Sequence, residues 1–273
     1  MMKDIPLGKH TEYISQYDKS LIFPIPRTDN RARLGIQAGD QLPFTGLDIW
    51  TGYELSWLNA KGKPEVAIVE FVIPAEAPNI VESKSFKLYL NSFNQTKVES
   101  REKLKETLEK DLSEGFGVPI QVSLFAVDAY PLQAQPKAQL IDDLDVECTE
   151  YEPNGDLLVV DQSESHSTTL CSNLLKSNCP VTGQPDWATV WVEYSGSKID
   201  PESLLKYIVS FRDHSDFHEH CVERIYCDLM SKGQFDSLVV TARYTRRGGL
   251  DINPIRSLKP VSMQDAIGRT ARQ

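Results

Sequence analysis

The stretch SNCPVTGQPDWATV, residues 177–190, sets a cysteine and an aspartate seven positions apart in a turn-rich loop that runs into a strand pattern. A thiolate is the strongest nucleophile that a side chain offers near neutral pH, and it needs a lowered pKa or a neighbouring base. Two prolines and a glycine between them favour a stiff, irregular loop whose polar side chains face a cleft. The pattern predicts that Cys179 attacks and that Asp186 moves a proton. The alternative is that Cys179 is a small buried apolar residue.

A second candidate is the segment DHSDFHEHC, residues 213–221, which we predict to be helical. In a helix, His214 and His218 share one face, with Glu219, His220 and Cys221 beside them. Zinc sites use histidine and cysteine at such spacings, but a structural site needs four ligands, so a solvated polar helix start is an equally good interpretation. A third interpretation makes His218 a proton-transfer or substrate-orienting group and Glu219 a carboxylate that hydrogen-bonds a heterocycle.

Two further stretches could bind an anion. VESKSFK carries Glu82, Ser83 and Lys84 at a predicted helix start, where backbone N–H groups and a lysine favour negative charge. TRRGGLDINP places two arginines before Gly248, in a tight loop that could meet a phosphate. The alternative in both cases is a solvated basic side chain. The chain contains no G-x-G-x-x-G after a strand and no G-x-x-x-x-G-K-[ST], so a Rossmann or P-loop site is unsupported.

Composition limits the class of protein. The chain has 273 residues, 40% of them hydrophobic and 25% charged, enough for one large or two modest domains. A net charge of −10 argues against a general nucleic-acid binder. No run reaches the roughly eighteen apolar residues of a membrane span, and the start lacks a signal-peptide core. Five cysteines without a CxxC pair suit free thiols, so we expect a cytoplasmic protein with no membrane or nucleic-acid partner.

The elements that must position these residues follow two similar patterns. Residues 1–50 are rich in Pro, Gly, Asp and Arg and predict an extended arm. YELSWLN and EVAIVEFVIP, separated by NAKGKP, predict a hairpin, and two amphipathic helices and a returning strand follow it. After a connection over 131–160, the second pattern predicts strands in DLLVV, STTLCSNLL, WATVWVEYS and SLVVTARYT, and helices in PESLLKYIVSF and SDFHEHCVERIYCDLM.

The two patterns align at an offset of 118 residues. Tyr89, Ser92 and Phe93 fall on the same residue types at positions 207, 210 and 211. This is a weak internal repeat of domain size. We therefore predict a first unit over 51–135 and a second unit over 136–273 that carries the nucleophile loop.

Three stretches, ESKSFKLYL, CPVTGQPDWA and SFRDHSDFHEHC followed by YTRRGG, together resemble one family. This is the family of NADPH-dependent nitrile reductases that convert 7-cyano-7-deazaguanine to 7-aminomethyl-7-deazaguanine in queuosine biosynthesis, in its longer two-module form. The resemblance covers residues 40 to 260 in outline. It implies an α+β fold of tandem tunnelling-fold units, each an antiparallel sheet backed by two helices, and association into a homodimer.

The resemblance also implies catalytic roles. Cys179 matches the nucleophile that adds to the nitrile carbon to form a covalent thioimide, which accepts hydride better than a bare nitrile does. Asp186 matches the general acid that protonates the nitrile nitrogen. Two hydrides from NADPH then convert thioimide to imine and imine to amine, and His218 matches a residue that assists proton transfer or holds the imine.

The same resemblance implies the binding residues. Glu82 and Glu219 match carboxylates that grip the guanine-like edge of the base, with His218 beside it and Val81 and Ser83 completing the pocket. Ser83 and Lys84, together with Arg247 and Gly248, match the NADPH contacts.

Three other functions compete with this one. A zinc-dependent cyclohydrolase would use His214, His218, His220 and Cys221, whereas the reductase requires no metal. A thiol hydrolase or amidase would use Cys179 and His218 without a nicotinamide. A non-catalytic module would bind the base and form no covalent adduct.

Overall fold

The computed structural model describes residues 13–131 and 134–273, which form two compact units. Within the described residues the first unit comprises 13–38, 48–131 and 246–251, and the second comprises 39–47, 134–245 and 252–273. The domain boundaries that we predict near residues 50 and 135 stay a prediction.

The first unit combines a short two-stranded sheet with a larger antiparallel arrangement. Its elements are β1 (Pro24–Pro26), α1 (Thr28–Ala32), β2 (Thr45–Leu58), β3 (Pro64–Pro74), β4 (Asn79–Val81), α2 (Ser83–Asn91), α3 (Arg101–Phe116) and β5 (Gln121–Phe125). β1 pairs antiparallel with β4, and the larger sheet runs in the order β5, β3, β2. β2 and β3 are neighbours joined by a short turn, which confirms the predicted hairpin.

Local signals explain the two long helices of the first unit. The Ser100 hydroxyl accepts the Lys103 N–H at 3.1 Å and caps α3, and Gly117 ends it at φ 78°, a conformation that favours glycine. The leucines spaced four apart in α3 are fully buried, as their helical spacing predicts. In α2, Phe86 is fully buried and packs its ring 4.8 Å from that of Trp50.

The second unit is built around three long strands. Its elements are β6 (Gln139–Leu140), β7 (Val160–Asn178), β8 (Pro185–Ile199), α4 (Pro201–Ser210), α5 (His218–Lys232), β9 (Phe235–Tyr244) and β10 (Leu250–Ser257), the last of which begins in the first unit. The sheet order is β10, β9, β8, β7, β6, antiparallel except for the pairing of β6 with β7. α4 packs on β7 and α5 packs on β9.

Some predictions about these elements were wrong. The stretch DLLVV is mostly not a strand: Asp156 and Leu157 lie in a 3-10 turn that the Asn154 side chain caps by accepting the Asp156 N–H at 2.9 Å, and only Val160 belongs to a strand. Of the predicted extended arm, residues 1–12 lie outside the described residues. The rest contains a 3-10 turn, β1, α1 and the start of β2. Residues 13–38 pack into the first unit, where Arg27 forms a buried ion pair with Asp48 at 2.5 Å.

The internal repeat extends to individual hydrogen bonds. At the start of the first long helix of each unit, a serine hydroxyl donates to the carbonyl of an acidic N-cap three residues earlier, at 2.7 Å from Ser85 to Glu82 and 2.8 Å from Ser203 to Asp200. A tyrosine one turn later donates to an aspartate of the second helix, again in both units. Each unit is thus an antiparallel sheet with two long helices, and the predicted α+β class of tandem units is confirmed. In the ranges 13–131 and 134–273, no helix is both long and apolar enough to cross a membrane.

Candidate active site

The nucleophile candidate lies at the end of a β-hairpin in the second unit. Cys179 directly follows β7, and its N–H donates to the Gln184 carbonyl at 2.8 Å. Its own carbonyl accepts the Gly183 N–H at 2.9 Å, and Gly183 adopts φ 68°, which glycine tolerates best. The loop that the sequence predicts to be stiff is therefore held at both ends, and the Cys179 side chain is 5% exposed.

Asp186 lies near the start of β8, on the partner strand of this hairpin. In the register of β7 with β8, Asp186 faces Ser177, two residues before Cys179. Its side chain is buried. The hairpin register therefore brings the proton-transfer candidate to the strand end that carries the nucleophile candidate.

His218, the first residue of α5, contacts Asp186. Its Nε2 atom lies 3.5 Å from Oδ2 of Asp186, and its Nδ1 atom lies 3.3 Å from the carbonyl oxygen of Ile252 on β10. Its ring stacks on that of Tyr244, with the ring centres 3.7 Å apart and an interplanar angle of 6°. The structure thus brings together two side chains that are 32 positions apart in the sequence.

A short parallel bridge ties the segment before α5 to the strand end before Cys179. Asn178 and Ser215 form this bridge. The Asn178 N–H donates to the His214 carbonyl at 2.8 Å, and the Asn178 carbonyl accepts the Asp216 N–H at 3.2 Å. The start of α5, with His218, is therefore fixed to the loop that holds the thiol.

The prediction that His214 and His218 share one face of a helix was wrong. α5 begins only at His218, after an extended residue at 217, and His214 precedes it in extended backbone. Instead, His214 and His220 both face Asp216, with nitrogen to oxygen distances of 3.6 and 3.1 Å. Burial acts to raise the pKa of Asp216, but the hydrogen bonds with both histidines outweigh it and hold that pKa well below its ordinary value. Among the residues described, no group of three or more His, Cys, Asp or Glu is arranged to hold a metal ion.

Glu219 and Glu82 are the two buried carboxylates expected to hold the base, and each is at the start of a helix in its own unit. Glu219 is in the first turn of α5 and is 2% exposed. Glu82 caps α2, where its carboxylate accepts the N–H groups of Lys84 at 2.9 Å and Ser85 at 2.8 Å. The free helix N–H groups that we expected for an external anion are therefore partly used by Glu82. Val81 is buried at the end of β4, and Ser83 and Lys84 are half-buried.

The arginine–glycine loop of the first unit is tightly turned. The Arg247 N–H donates to the Leu250 carbonyl at 2.9 Å, and Gly248 and Gly249 have φ values of 59° and 71°. A Cβ atom on Gly249 would lie 2.3 Å from the carboxyl carbon of Glu54. The loop borders a cavity of about 190 Å³, also lined by Gly52, Glu54, Lys87 and Leu90.

Sequence reasoning missed three residues of this region. Asp216, Tyr244 and Ile252 contact candidate histidines, yet the sequence motifs that contain them gave them no role. Two of these contacts are to His218, from strands β9 and β10. The strand pattern SLVVTARYT, which includes the buried Tyr244, predicted the strand that carries one of them.

Cys179 and Asp186 lie on one β-hairpin and Asp186 contacts His218, an arrangement of side chains that suits an enzyme active site. Two family models match the chain: one described as nitrile reductase, 7-cyano-7-deazaguanine-reductase N-term, over residues 13–124, and one described as QueF-like protein, over residues 185–261. Three relatives are each named NADPH-dependent 7-cyano-7-deazaguanine reductase. The relative from Bordetella avium is 55% identical to this chain, and the match covers 94% of both chains. The relative from Cupriavidus metallidurans is 56% identical, with 92% of both chains covered. The relative from Bordetella pertussis is 54% identical, and the match covers 100% of this chain and 99% of the relative. The chain belongs to this family of reductases.

The crystal structure of the archaeosine synthase QueF-Like in the apo form aligns with a TM-score of 0.31 at 20% identity, covering 38% of this chain and 96% of that chain.

Proposed function

We propose that the chain reduces the nitrile of 7-cyano-7-deazaguanine to the aminomethyl group, using two NADPH, in queuosine biosynthesis. Family membership over essentially the whole chain supports the overall reaction. One observation supports the mechanism above the others. Asp186 lies on the hairpin that holds Cys179, and the Asp186 carboxylate is 3.5 Å from Nε2 of His218. A nucleophile and a proton donor on one rigid hairpin suit addition to a polarised triple bond.

The first step is addition of Cys179 to the nitrile. The thiolate sulfur forms a bond to the nitrile carbon, one π bond of the nitrile breaks, and its electron pair takes a proton from Asp186 at nitrogen. The product is a thioimide on Cys179. His218, whose Nε2 faces Asp186, is placed to return a proton to that carboxylate. The burial of Cys179 and Asp186 limits competing hydrolysis by water.

The remaining steps return the thiol. Bound NADPH would supply two hydrides to the carbon, one before and one after the carbon–sulfur bond breaks. Cys179 leaves between them with the bonding electron pair, and the imine remains. Two hydrides and two protons convert the nitrile to the neutral amine, and Asp186 with His218 delivers the protons at nitrogen.

The base would be held by buried carboxylates. The guanine-like edge of the substrate presents adjacent N–H donors, which suit a carboxylate acceptor. Glu82 and Glu219 are 1% and 2% exposed, and both match the carboxylates that the family resemblance assigns to the base. We assign both to the base, with Val81, Ser83 and His218 bordering it.

The residues proposed for NADPH fit a phosphate-bearing ligand. Lys84 and Arg247 are cations in a chain of net charge −10. Gly248 is exposed and turns at positive φ, so the backbone can approach a bulky ligand closely. Ser83 and Lys84 at the start of α2 and Arg247 and Gly248 in the loop would therefore hold the nucleotide.

Intact mass measurement tests this function. Protein mixed with 7-cyano-7-deazaguanine in the absence of NADPH should gain the mass of the base, and Cys179→Ala should not. Addition of NADPH should remove the adduct while two NADPH are consumed per amine formed. Base binding without an adduct would contradict the covalent mechanism, and loss of activity on chelator treatment would favour a zinc hydrolase instead.

We also propose a cytoplasmic homodimer that binds no nucleic acid directly. The five cysteines are free thiols, which suits a reducing compartment. The acidic charge opposes phosphate backbones. Light scattering of the purified protein should give about twice the chain mass of 30.8 kDa, and a monomer mass would contradict the dimer.

A further inference from the structure

Two contacts fix the imidazole of His218 from different strands. The Ile252 carbonyl on β10 lies 3.3 Å from Nδ1, and the Tyr244 ring at the end of β9 covers one face of the imidazole at 3.7 Å. A carbonyl oxygen only accepts hydrogen bonds, so this contact favours the tautomer of His218 that carries a hydrogen on Nδ1. Nε2 is then the nitrogen that gains or loses a proton, and it is the one that faces Asp186.

Tyr244 is itself held rigidly. Its N–H donates to the Asn253 side chain at 3.2 Å, and its carbonyl accepts the Gln273 side-chain amide at 3.0 Å. In the register of β8 with β9 it faces Ala188, two residues after Asp186. These contacts fix the backbone of Tyr244, and its side chain is fully buried.

The hydroxyl of Tyr244 interacts with buried groups other than His218. It is fully buried beside the Cys221 thiol and the Ser177 hydroxyl. Burial raises the pKa of Tyr244 well above its ordinary value, and Cys221 and Asp186 raise it further. Its role toward His218 is through the face of the ring.

We propose that Tyr244 is a positioning residue: its stacked ring, with the Ile252 carbonyl, holds His218 in the Nδ1-protonated form and aims Nε2 at Asp186. The stacked Tyr244 ring restricts rotation of the His218 imidazole about the bond to its Cβ atom. The Ile252 carbonyl selects which imidazole nitrogen faces Asp186. This inference deepens the proposed function and rests on it for its kinetic test.

The kinetic test compares ring-retaining and ring-removing substitutions. Tyr244→Phe keeps the stack and should keep kcat within about twofold. Tyr244→Leu removes it and should lower kcat about tenfold, the scale of a small misalignment of a reacting group, with little change in the KM for the base. Tyr244→Met serves as a second variant of similar volume, and thermal unfolding of each shows that it is folded.

A double-mutant cycle separates positioning from general destabilisation. If Tyr244 acts through His218, Tyr244→Leu should cause no further loss of kcat in a His218→Gln background. Independent losses that multiply, or a Tyr244→Leu enzyme with wild-type kcat, would overturn the proposal. So would equal losses in the Phe and Leu variants.

A spectroscopic test does not depend on turnover. Nitrogen-15 NMR of the wild-type protein, with the His218 signals assigned by His218→Gln, should show a proton on Nδ1, and Tyr244→Leu should give a mixture of tautomers. A hydrogen on Nε2 alone would overturn the inference even if the enzyme is active. A wild-type protein without reductase activity would instead refute the proposed function and leave this test standing.

Discussion

Glu82 and Asp200 hold equivalent positions in the two units, 118 residues apart. Each caps the first long helix of its unit, and a serine three residues later donates its hydroxyl to the cap's carbonyl. The two carboxylates differ in their hydrogen bonds and in their burial. Both oxygens of Glu82 accept backbone N–H groups, and Glu82 is 1% exposed. Asp200 accepts one backbone N–H group and is half-buried. The first unit therefore has a buried carboxylate at a place where capping alone needs only a short polar side chain.

Substitution at these two caps separates binding from capping. Glu82→Gln should raise the KM for the base at least tenfold, because an amide replaces one acceptor oxygen with a donor, and hydrogen bonds to a charged group contribute about 1.5–3 kcal/mol. Asp200→Asn is the matched control and should leave the kinetics unchanged, since asparagine caps as well as aspartate. Steady-state kinetics with varied base concentration measures both. An unchanged KM in Glu82→Gln would remove Glu82 from the base site.

Asp186→Asn tests the proton donor. Asparagine has nearly the same shape but cannot donate a carboxyl proton, so kcat should fall by about 10²- to 10⁴-fold, the usual contribution of general acid catalysis. Single-turnover mass spectrometry should show slowed thioimide formation on Cys179. Asp213→Asn, at an exposed position in the same unit, should behave as wild type. Adduct formation at the wild-type rate in Asp186→Asn would assign the acid to another group.

Local signals allowed the nucleophile loop to be predicted. The prolines and glycine around Cys179 mark a turn, and the alternation after Asp186 marks a strand, so both residues fall on one hairpin. The helix start in VESKSFK was likewise predictable, because polar residues precede an apolar helical pattern there. The sequence did not indicate that the Glu82 carboxylate accepts helix N–H groups that could otherwise bind an anion.

The contacts around His218 were beyond prediction because they join distant strands. Asp186, Tyr244 and Ile252 each reach it from a different strand, and single-sequence patterns carry no information about such pairing. The error at His214 has a local cause. The carboxylate of Asp216 accepts its neighbour's N–H at 2.8 Å and contacts the side chain of His214, so the chain stays extended until His218.

Asp216→Asn should make stability depend less on pH. The folded-state pKa of Asp216 lies below its ordinary value, so its ionised form stabilises the fold above about pH 4, and this stabilisation is lost as the pH falls through the folded-state pKa. At neutral pH the variant should be less stable by about 1–3 kcal/mol, the cost of a disrupted buried network. Urea unfolding at pH 7, 5 and 3 should show this difference shrinking at the lowest pH. A constant difference would mean that Asp216 does not stabilise the fold through its charge.

Adjacent arginines provide a matched test of the nucleotide site. Arg247→Ala should raise the KM for NADPH about tenfold, and this loss should diminish at high salt because ion pairing is screened. Arg246→Ala is the control: its guanidinium lies 4.9 Å from the centre of the Tyr53 ring, so it should alter the KM less than about twofold. Varying NADPH at a saturating base concentration in 50 mM and 500 mM salt measures both effects. Equal losses in the two variants would indicate a general electrostatic attraction, and no loss in Arg247→Ala would remove that residue from the cofactor site.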